Sequence, residues 1–203
     1  VQLRQGDYNG TIKTLTGSAS YFEETGDQLN AAKCYSNISS ALAELEDYSK
    51  AIEYNIRALN IFKDQNLLQF QLITLPNLAA QYFRNGDTLV ALDYNLEAEK
   101  LAIEMGNKRS LSIIYNNLGS IFLDSDPDKA NDYLKKTIQL KNELNLRSGL
   151  EVTLGNLGYL SMKDGDYKTA ISYYKQVAEI VNGKQLVYAY TQLKDCYIKL
   201  NQP

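Results

Sequence analysis

The stretch NISSALAELEDYSKAIEYNIRALNIF, from Asn37 to Phe62, decides the fold because degenerate copies of it run through the chain. Further copies begin at Asn77, Asn117 and Asn156, which continue the series in steps of 40, 40 and 39 residues. A fixed period of about 20–50 residues is typical of proteins built from stacked repeats. The sequence therefore predicts a repeat protein in which each unit packs on its neighbours.

Each copy divides into two helical halves. The apolar or small residues of the first half have the spacing of one helical face: Ile38, Ala41, Leu42 and Leu45. The segment from Glu46 to Tyr48 breaks this pattern and includes an Asp, a residue type that caps helix N-termini. A second helical pattern then starts at Ala51, a small residue that allows close packing of two helices. We therefore expect one helix pair per repeat.

Two of the copies carry the clearest motifs. One has Asn117-Leu118-Gly119 with Phe122, and the other has Asn156-Leu157-Gly158 with Gly165-Asp166-Tyr167, Ala170 and Tyr174. These residues resemble the tetratricopeptide repeat, in a long variety of about 40 residues found in bacterial signalling and regulatory proteins. The resemblance implies an all-α fold, a right-handed superhelical solenoid of about five helix-turn-helix repeats. It also implies a concave groove lined by the first helix of each pair.

The repeat boundaries predict a single domain over residues 1–203. We expect a truncated repeat at about 1–25, repeats at about 27–65, 66–105, 107–145 and 146–182, and a terminal helix at about 184–201. Val1–Gln5 resembles the end of a first helix whose start would precede residue 1. We therefore expect the sequence to be a piece of a longer protein.

The composition argues against catalysis. The chain has no His, which removes the commonest general base and metal ligand, and its two Cys therefore lack an imidazole to activate them. The acidic segment from Asp124 to Asp128 lacks the Gly and Glu positions of the familiar calcium loop. We expect no enzyme activity, no cofactor and no metal.

The sequence also argues against nucleic acids and membranes as binding partners. The net charge is −3, without the basic stripe that phosphate backbones require. The recurring Tyr54, Tyr94, Tyr133 and Tyr173 occupy one repeat position, so we expect them to pack between repeats and not on bases. No apolar run reaches the ~20 residues that span a bilayer. We expect no direct membrane insertion and a soluble location, either cytoplasmic or periplasmic.

A ladder of amide side chains is the most informative constellation. Asn37, Asn77, Asn117 and Asn156 recur at one repeat position, and Gln192 is their counterpart in the terminal helix. In the family that this chain resembles, the position faces the groove. A primary amide can pair with both the N–H and the C=O of an extended peptide. The alternative is that these residues only bond between adjacent helices.

Residues on the same predicted helix faces complete the groove, and their charges are mixed. The predicted ligand-binding residues are Lys33, Asn37, Ser40, Glu44, Asn77, Arg84, Asn116, Asn117, Ser120, Asp124, Asn156, Tyr159, Lys163 and Gln192.

The function that we expect is a non-catalytic module that binds a peptide or protein segment. The resemblance implies that it is the sensing or scaffolding region of a larger bacterial regulatory protein. The alternative is a structural or oligomerisation domain whose groove is filled by a neighbouring subunit, and self-association therefore stays open.

Overall fold

The computed structural model describes residues 7–200, and this part of the chain contains helices and no strand. The helices are α1 (Tyr8–Glu24), α2 (Gln28–Glu44), α3 (Tyr48–Asp64), α4 (Leu68–Asn85), α5 (Thr88–Glu104), α6 (Lys108–Phe122), α7 (Pro127–Glu143), α8 (Leu150–Lys163), α9 (Tyr167–Ile180) and α10 (Gly183–Leu200). The all-α prediction is confirmed. The helix end predicted at Val1–Gln5 lies outside the described residues.

The turns share one backbone design. Five successive turns place a left-handed residue every 20 positions: Gly26, Glu46, Asn66, Gly86 and Gly106. This conformation ends a helix, and Gly adopts it without steric cost. Several of the next helices then start on an Asp, as where the Asp27 carboxylate accepts a hydrogen bond from the Asn30 backbone at 3.1 Å. Each 40-residue repeat thus contains two half-repeats of nearly equal length.

The described chain divides into two compact units, with the boundary between Ser110 and Leu111 in the first turn of α6. In the first unit, each helix from α1 to α4 packs against the next helix along the chain. In the second unit, α7, α8 and α9 do the same, and Gly119 of α6 faces Leu134 of α7. We call α2, α4, α6, α8 and α10 first helices and the other five second helices. The extent of a single repeat domain stays a prediction.

Small residues set the helix spacing within pairs. The fourth residue of each of the last four second helices has no exposed surface: Ala51, Ala91, Ala130 and Ala170. Two glycines of first helices lie equally close to their partners. A Cβ at Gly119 would come within 2.7 Å of Leu134, and one at Gly158 within 2.8 Å of the Tyr174 ring. The helices of these pairs therefore approach more closely than any larger side chain would allow.

Three of the four recurring tyrosines, Tyr54, Tyr94 and Tyr133, have ring contacts within a pair. Tyr173 of α9 packs against a cluster that includes Ala130 and Leu134 of α7, as the predicted packing between repeats requires. Tyr94 stacks on Tyr82 with ring centroids 5.5 Å apart, and Tyr54 lies 5.9 Å from Tyr35. In both cases the partner lies on the first helix of the same pair. The reason is that aromatic residues recur on both helices of a pair and face each other across it.

Hydrogen bonds connect successive pairs in the first unit. The buried Gln81 side chain of α4 donates to the Ser39 hydroxyl of α2 at 2.8 Å and accepts from the Asn55 amide of α3 at 3.0 Å. On the second helices, the Arg57 guanidinium of α3 lies 2.9 Å from the Glu23 carboxylate of α1. The buried network fixes the register between neighbouring repeats, because its polar groups have no water to bond to instead.

Candidate functional site

First helices present their predicted groove residues along one face. On α8 this face carries Val152, Asn156, Tyr159 and Lys163, which follow each other at helical spacings of four, three and four residues. The corresponding face of α10 carries Tyr188, Gln192, Asp195 and Lys199. Each face thus has an apolar or aromatic residue, then an amide, and then two polar or charged positions. We call these the α8 face and the α10 face.

In the first unit, four predicted residues line one cavity of about 470 Å³. Ser40 and Glu44 of α2 lie on one side of it, and Asn77 and Arg84 of α4 lie on the other. All four side chains are exposed. Glu46 and Gln81 also line the cavity, which therefore combines two amides with two acidic groups and one basic group. This lining suits a polar backbone and a charged side chain.

Two further predicted residues of the first unit lie outside this cavity lining. Asn37 is exposed on α2, one turn before Ser40. Lys33 is half-buried, where its ammonium group bonds to the Asn30 side chain at 3.3 Å and lies 5.5 Å from the centre of the Phe70 ring. These contacts hold the Lys33 ammonium group between α2 and the start of α4.

In the second unit, side-chain hydrogen bonds join the first helices α6 and α8. Asn156 donates from its amide to the Ser120 hydroxyl at 2.9 Å, and the Thr153 hydroxyl donates to the Asn116 carbonyl oxygen at 2.8 Å. Asn117 lies between these contacts, is half-buried and also has a partner. The structure therefore uses part of the amide ladder to connect neighbouring first helices.

A charged cluster continues the same contact beyond α6. The Asp124 carboxylate accepts hydrogen bonds from the Tyr159 hydroxyl at 2.9 Å and from the Lys163 ammonium at 3.0 Å. The bond from Lys163 and then that from Tyr159 hold the pKa of Asp124 below its ordinary value. The hydrogen bond to Asp124 in turn raises the pKa of Tyr159 and that of Lys163. Because all three groups are exposed, this cluster orients side chains and adds little stability.

Two cavities lie side by side between the α8 face and the α10 face. The first, of about 350 Å³, is mainly apolar and is lined by Val152, Gly155 and Asn156 of α8, Val177 and Val181 at the end of α9, and Tyr188 of α10, with Glu151, Lys184 and Gln185 around them. The second, of about 450 Å³, includes Tyr159 and Lys163 of α8 with Gln192 and Asp195 of α10. We call the first the valine cavity. Four predicted residues, Asn156, Tyr159, Lys163 and Gln192, thus line a pair of adjacent cavities.

The candidate list from the sequence lacked several residues that line these two cavities. Tyr188, Asp195 and Lys199 stand 36 residues after Val152, Tyr159 and Lys163, the same interval that separates Asn156 from Gln192. This 36-residue interval could have predicted Tyr188, Asp195 and Lys199 from the sequence. Val177 and Val181 come from a second helix, and the expectation of a groove lined by first helices gave no reason to include them.

The described residues can also be compared with the requirements of a reactive thiol, a metal site and a membrane-spanning helix. Cys34 and Cys196 are buried, and burial raises the pKa of both thiols, which lowers the fraction of reactive thiolate. Between residues 7 and 200, no group of three or more His, Cys, Asp or Glu side chains is arranged to hold a metal ion. None of the helices in this range combines the length and apolarity that crossing a bilayer requires.

Comparison with known families matches two segments of the chain to tetratricopeptide-repeat models, at residues 32–65 and 153–188. No curated protein sequence shows significant similarity to this chain. The segment at 32–65 covers α3 and most of α2. The segment at 153–188 covers most of the α8 face and every residue of the valine-cavity lining except Glu151 and Val152.

Several solved structures share the fold. BtubC (BKLC) from P. vanneervenii has a TM-score of 0.77 and 19% identity over 95% of this chain and 84% of its own. RapI, solved in its apo form, has a TM-score of 0.77 and 19% identity over 88% of this chain and 66% of its own.

A third structure is that of a signal-transduction ATPase with numerous domains from Pyrococcus horikoshii, a protein with a tetratricopeptide-repeat sensor. It has a TM-score of 0.73 and 16% identity over 98% of this chain, which spans only 30% of that protein. The family models and these folds agree with the repeat motifs of the sequence. The chain therefore contains tetratricopeptide repeats, whose fold serves in general as a non-catalytic scaffold for protein interaction.

Proposed function

We propose that the chain binds an extended segment of a partner protein along the exposed faces of its first helices. The observation that carries this proposal is the valine cavity beside Asn156, between the α8 face and the α10 face. It places an apolar recess directly next to an amide, and an extended peptide offers a backbone amide next to each side chain. Side chain and backbone can therefore be bound at adjacent points.

The amides supply the backbone contacts. Asn156 donates one N–H to Ser120, which leaves its second N–H and its carbonyl oxygen for a ligand. Gln192 lies on the α10 face and lines the neighbouring cavity, and Asn77 is exposed in the cavity of the first unit. Amide contacts of this kind hold a peptide without reading its sequence.

The valine cavity supplies selectivity. Its walls include Val152, Val177 and Val181 together with the Tyr188 ring, and its floor at Gly155 has no atom within 4 Å of the place where a Cβ would stand. An aliphatic or aromatic side chain of the ligand would replace water there and bury apolar surface. We therefore expect peptides with one large apolar residue to bind best.

The wider role that we propose is the sensing or scaffolding region of a regulatory protein. The support is the similar fold of the Pyrococcus horikoshii protein, a signal-transduction ATPase with a tetratricopeptide-repeat sensor. A sensor region of this kind needs a binding surface, which the valine cavity and the α8 and α10 faces would supply.

The test uses a substitution that fills the cavity without weakening the fold. Peptides selected from a random library on the unmodified chain are measured against Gly155→Leu and against the control Gly17→Leu. Both glycines lie inside helices with open space at the Cβ position, so both changes should raise helix stability by up to about 1 kcal/mol. Gly155→Leu should abolish binding, and Gly17→Leu should leave it intact.

Equal binding by the two variants would overturn the valine cavity as the ligand site. A stable dimer that closes the cavity and binds no peptide would favour the alternative, in which a neighbouring subunit fills the groove. Light scattering on the same samples separates these outcomes.

A further inference from the structure

The second helix α5 has an apolar stripe on its solvent side. Leu89, Leu96 and Ile103 are 80%, 44% and 58% exposed. They are seven residues apart, which places them in one line along the helix. A helix that packs on one side normally carries polar side chains on its exposed face. A line of exposed aliphatic side chains therefore indicates a surface that binds a partner. We call it the α5 stripe.

The other second helices show that the repeat itself does not require this stripe. The positions equivalent to Leu89, Leu96 and Ile103 follow from the aligned small residues Thr11, Ala51, Ala91, Ala130 and Ala170. They are Asn9, Thr16 and Glu23 in α1, Ser49, Ile56 and Lys63 in α3, Asp128, Lys135 and Asn142 in α7, and Lys168, Lys175 and Asn182 in and after α9. Ile56 is apolar but half-buried, and every other equivalent is polar or charged. The aliphatic surface is thus specific to α5.

Two charges lie on the same line and indicate what covers it. Asp93 stands between Leu89 and Leu96, and Lys100 stands between Leu96 and Ile103. Both side chains are exposed, and neither forms an ion pair with another part of the described chain. Asp93 lies three residues before Leu96 and Lys100 lies four residues after it, so the reversed stripe of a second copy would bring opposite charges close together.

We propose that the α5 stripe binds the α5 stripe of a second copy of this chain, in an antiparallel contact with two-fold symmetry. Leu96 then contacts Leu96 of the other copy on the two-fold axis, and Leu89 of each copy contacts Ile103 of the other. Asp93 of each copy likewise lies close to Lys100 of the other. A two-fold contact uses the same patch on both subunits, and this patch satisfies that condition. A parallel arrangement would instead bring Asp93 against Asp93 and Lys100 against Lys100.

The contact is small, so the dimer is reversible. Each copy contributes three aliphatic side chains and one pair of charges, well below the surface that an obligate dimer buries. None of the α5 stripe residues lines the valine cavity or the cavity of the first unit. Dimerisation therefore leaves peptide binding unchanged, and either proposal can fail without the other.

Sedimentation over about a hundred-fold range of protein concentration tests the dimer. The unmodified chain should pass from monomer to dimer as concentration rises. Leu96→Lys should raise the dimer dissociation constant at least about ten-fold, because two ammonium groups would meet on the axis. The control Asn60→Lys adds the same charge at an exposed position of α3 and should not change it.

The antiparallel orientation is tested with charge reversal and cross-linking. Asp93→Lys should weaken the dimer, and adding Lys100→Asp to it should restore the dimer. Leu96→Cys should form a disulfide-linked dimer on oxidation, whereas Leu89→Cys should not, because the two copies of residue 89 would lie roughly 21 Å apart along the axis. The native Cys34 and Cys196 are buried and should not interfere.

A chain that stays monomeric at every concentration would overturn the proposal. So would a dimer that tolerates Leu96→Lys, cross-links through Leu89→Cys, or fails to recover when both charges are exchanged. Binding of a different protein or of lipid vesicles to the stripe of a monomeric chain would likewise show that the second copy is the wrong occupant.

Discussion

The Asn156 amide nitrogen lies 2.9 Å from the Ser120 hydroxyl oxygen, so the first helices α8 and α6 share a hydrogen bond at a residue of the predicted amide ladder. Both side chains are half-buried. The two interpretations of the ladder, contact between helices and contact with a ligand, therefore meet in one residue. Asn77 differs, because its side chain is exposed in a cavity of the first unit.

The bond between Asn156 and Ser120 predicts coupled effects on stability. Asn156→Ala and Ser120→Ala should each lower the free energy of unfolding by about 0.5–1.5 kcal/mol, and the double variant should cost less than their sum. Asn77→Ala should change stability by less than about 0.5 kcal/mol, because its side chain is exposed. Denaturant unfolding of the four variants measures this, and strictly additive effects at 156 and 120 would contradict the shared bond.

The buried network around Gln81 predicts a larger loss. Gln81→Ala leaves the Asn55 amide without its acceptor and removes a donor from the Ser39 hydroxyl. Each buried group left unpaired costs about 1–3 kcal/mol. The exposed Gln139→Ala should stay within about 0.5 kcal/mol of the unmodified chain. Similar unfolding midpoints for the two variants would show that the network carries no stability.

Tyr35 predicts a pH dependence at the alkaline end. Burial, followed by its hydrogen bond to Glu23, raises the pKa of Tyr35 from an ordinary 10.0 to about 12. Because the folded chain holds this proton more tightly than the unfolded chain, the stabilisation is complete below pH 10. It is lost as pH rises from about 10 to about 12.

Chemical unfolding of Tyr35→Phe between neutral pH and pH 12 checks this prediction. The variant should lose less stability over the alkaline range than the unmodified chain does. The control Tyr21→Phe removes an exposed hydroxyl and should keep the original pH profile. Parallel pH profiles for Tyr35→Phe and the unmodified chain would contradict the assignment.

The sequence predicted the helices well because their signals are local. Left-handed residues and Asp caps recur near every 20th position, and both act within one turn of the chain. The exception is α8, which begins at Leu150, four residues after the predicted start of its repeat at about 146. There the buried Lys141 donates to the Ser148 carbonyl, and Gly149 has a φ of 70°. A contact between a buried lysine and a turn carbonyl gives no periodic signal in the sequence.

The candidate site was predictable only in part, for the same reason. Repeat spacing was enough to select Asn156, Tyr159, Lys163 and Gln192, which line adjacent cavities. It could not show that Ser120 would occupy the Asn156 amide, because that depends on the distance between two helices 36 residues apart in sequence. Nor could it place Val177 in the cavity, since this side chain comes from a second helix and the groove was expected on first helices.

The most direct measurement of the central claim is an NMR titration of the ¹⁵N-labelled chain with a peptide selected from a random library. The account predicts that the largest amide shift changes fall on the α8 and α10 faces around Asn156, Gly155 and Tyr188. The Gly155→Leu variant should lose these changes, and the Gly17→Leu control should keep them. Changes centred on the outer surfaces of second helices, or equal changes in both variants, would contradict the account.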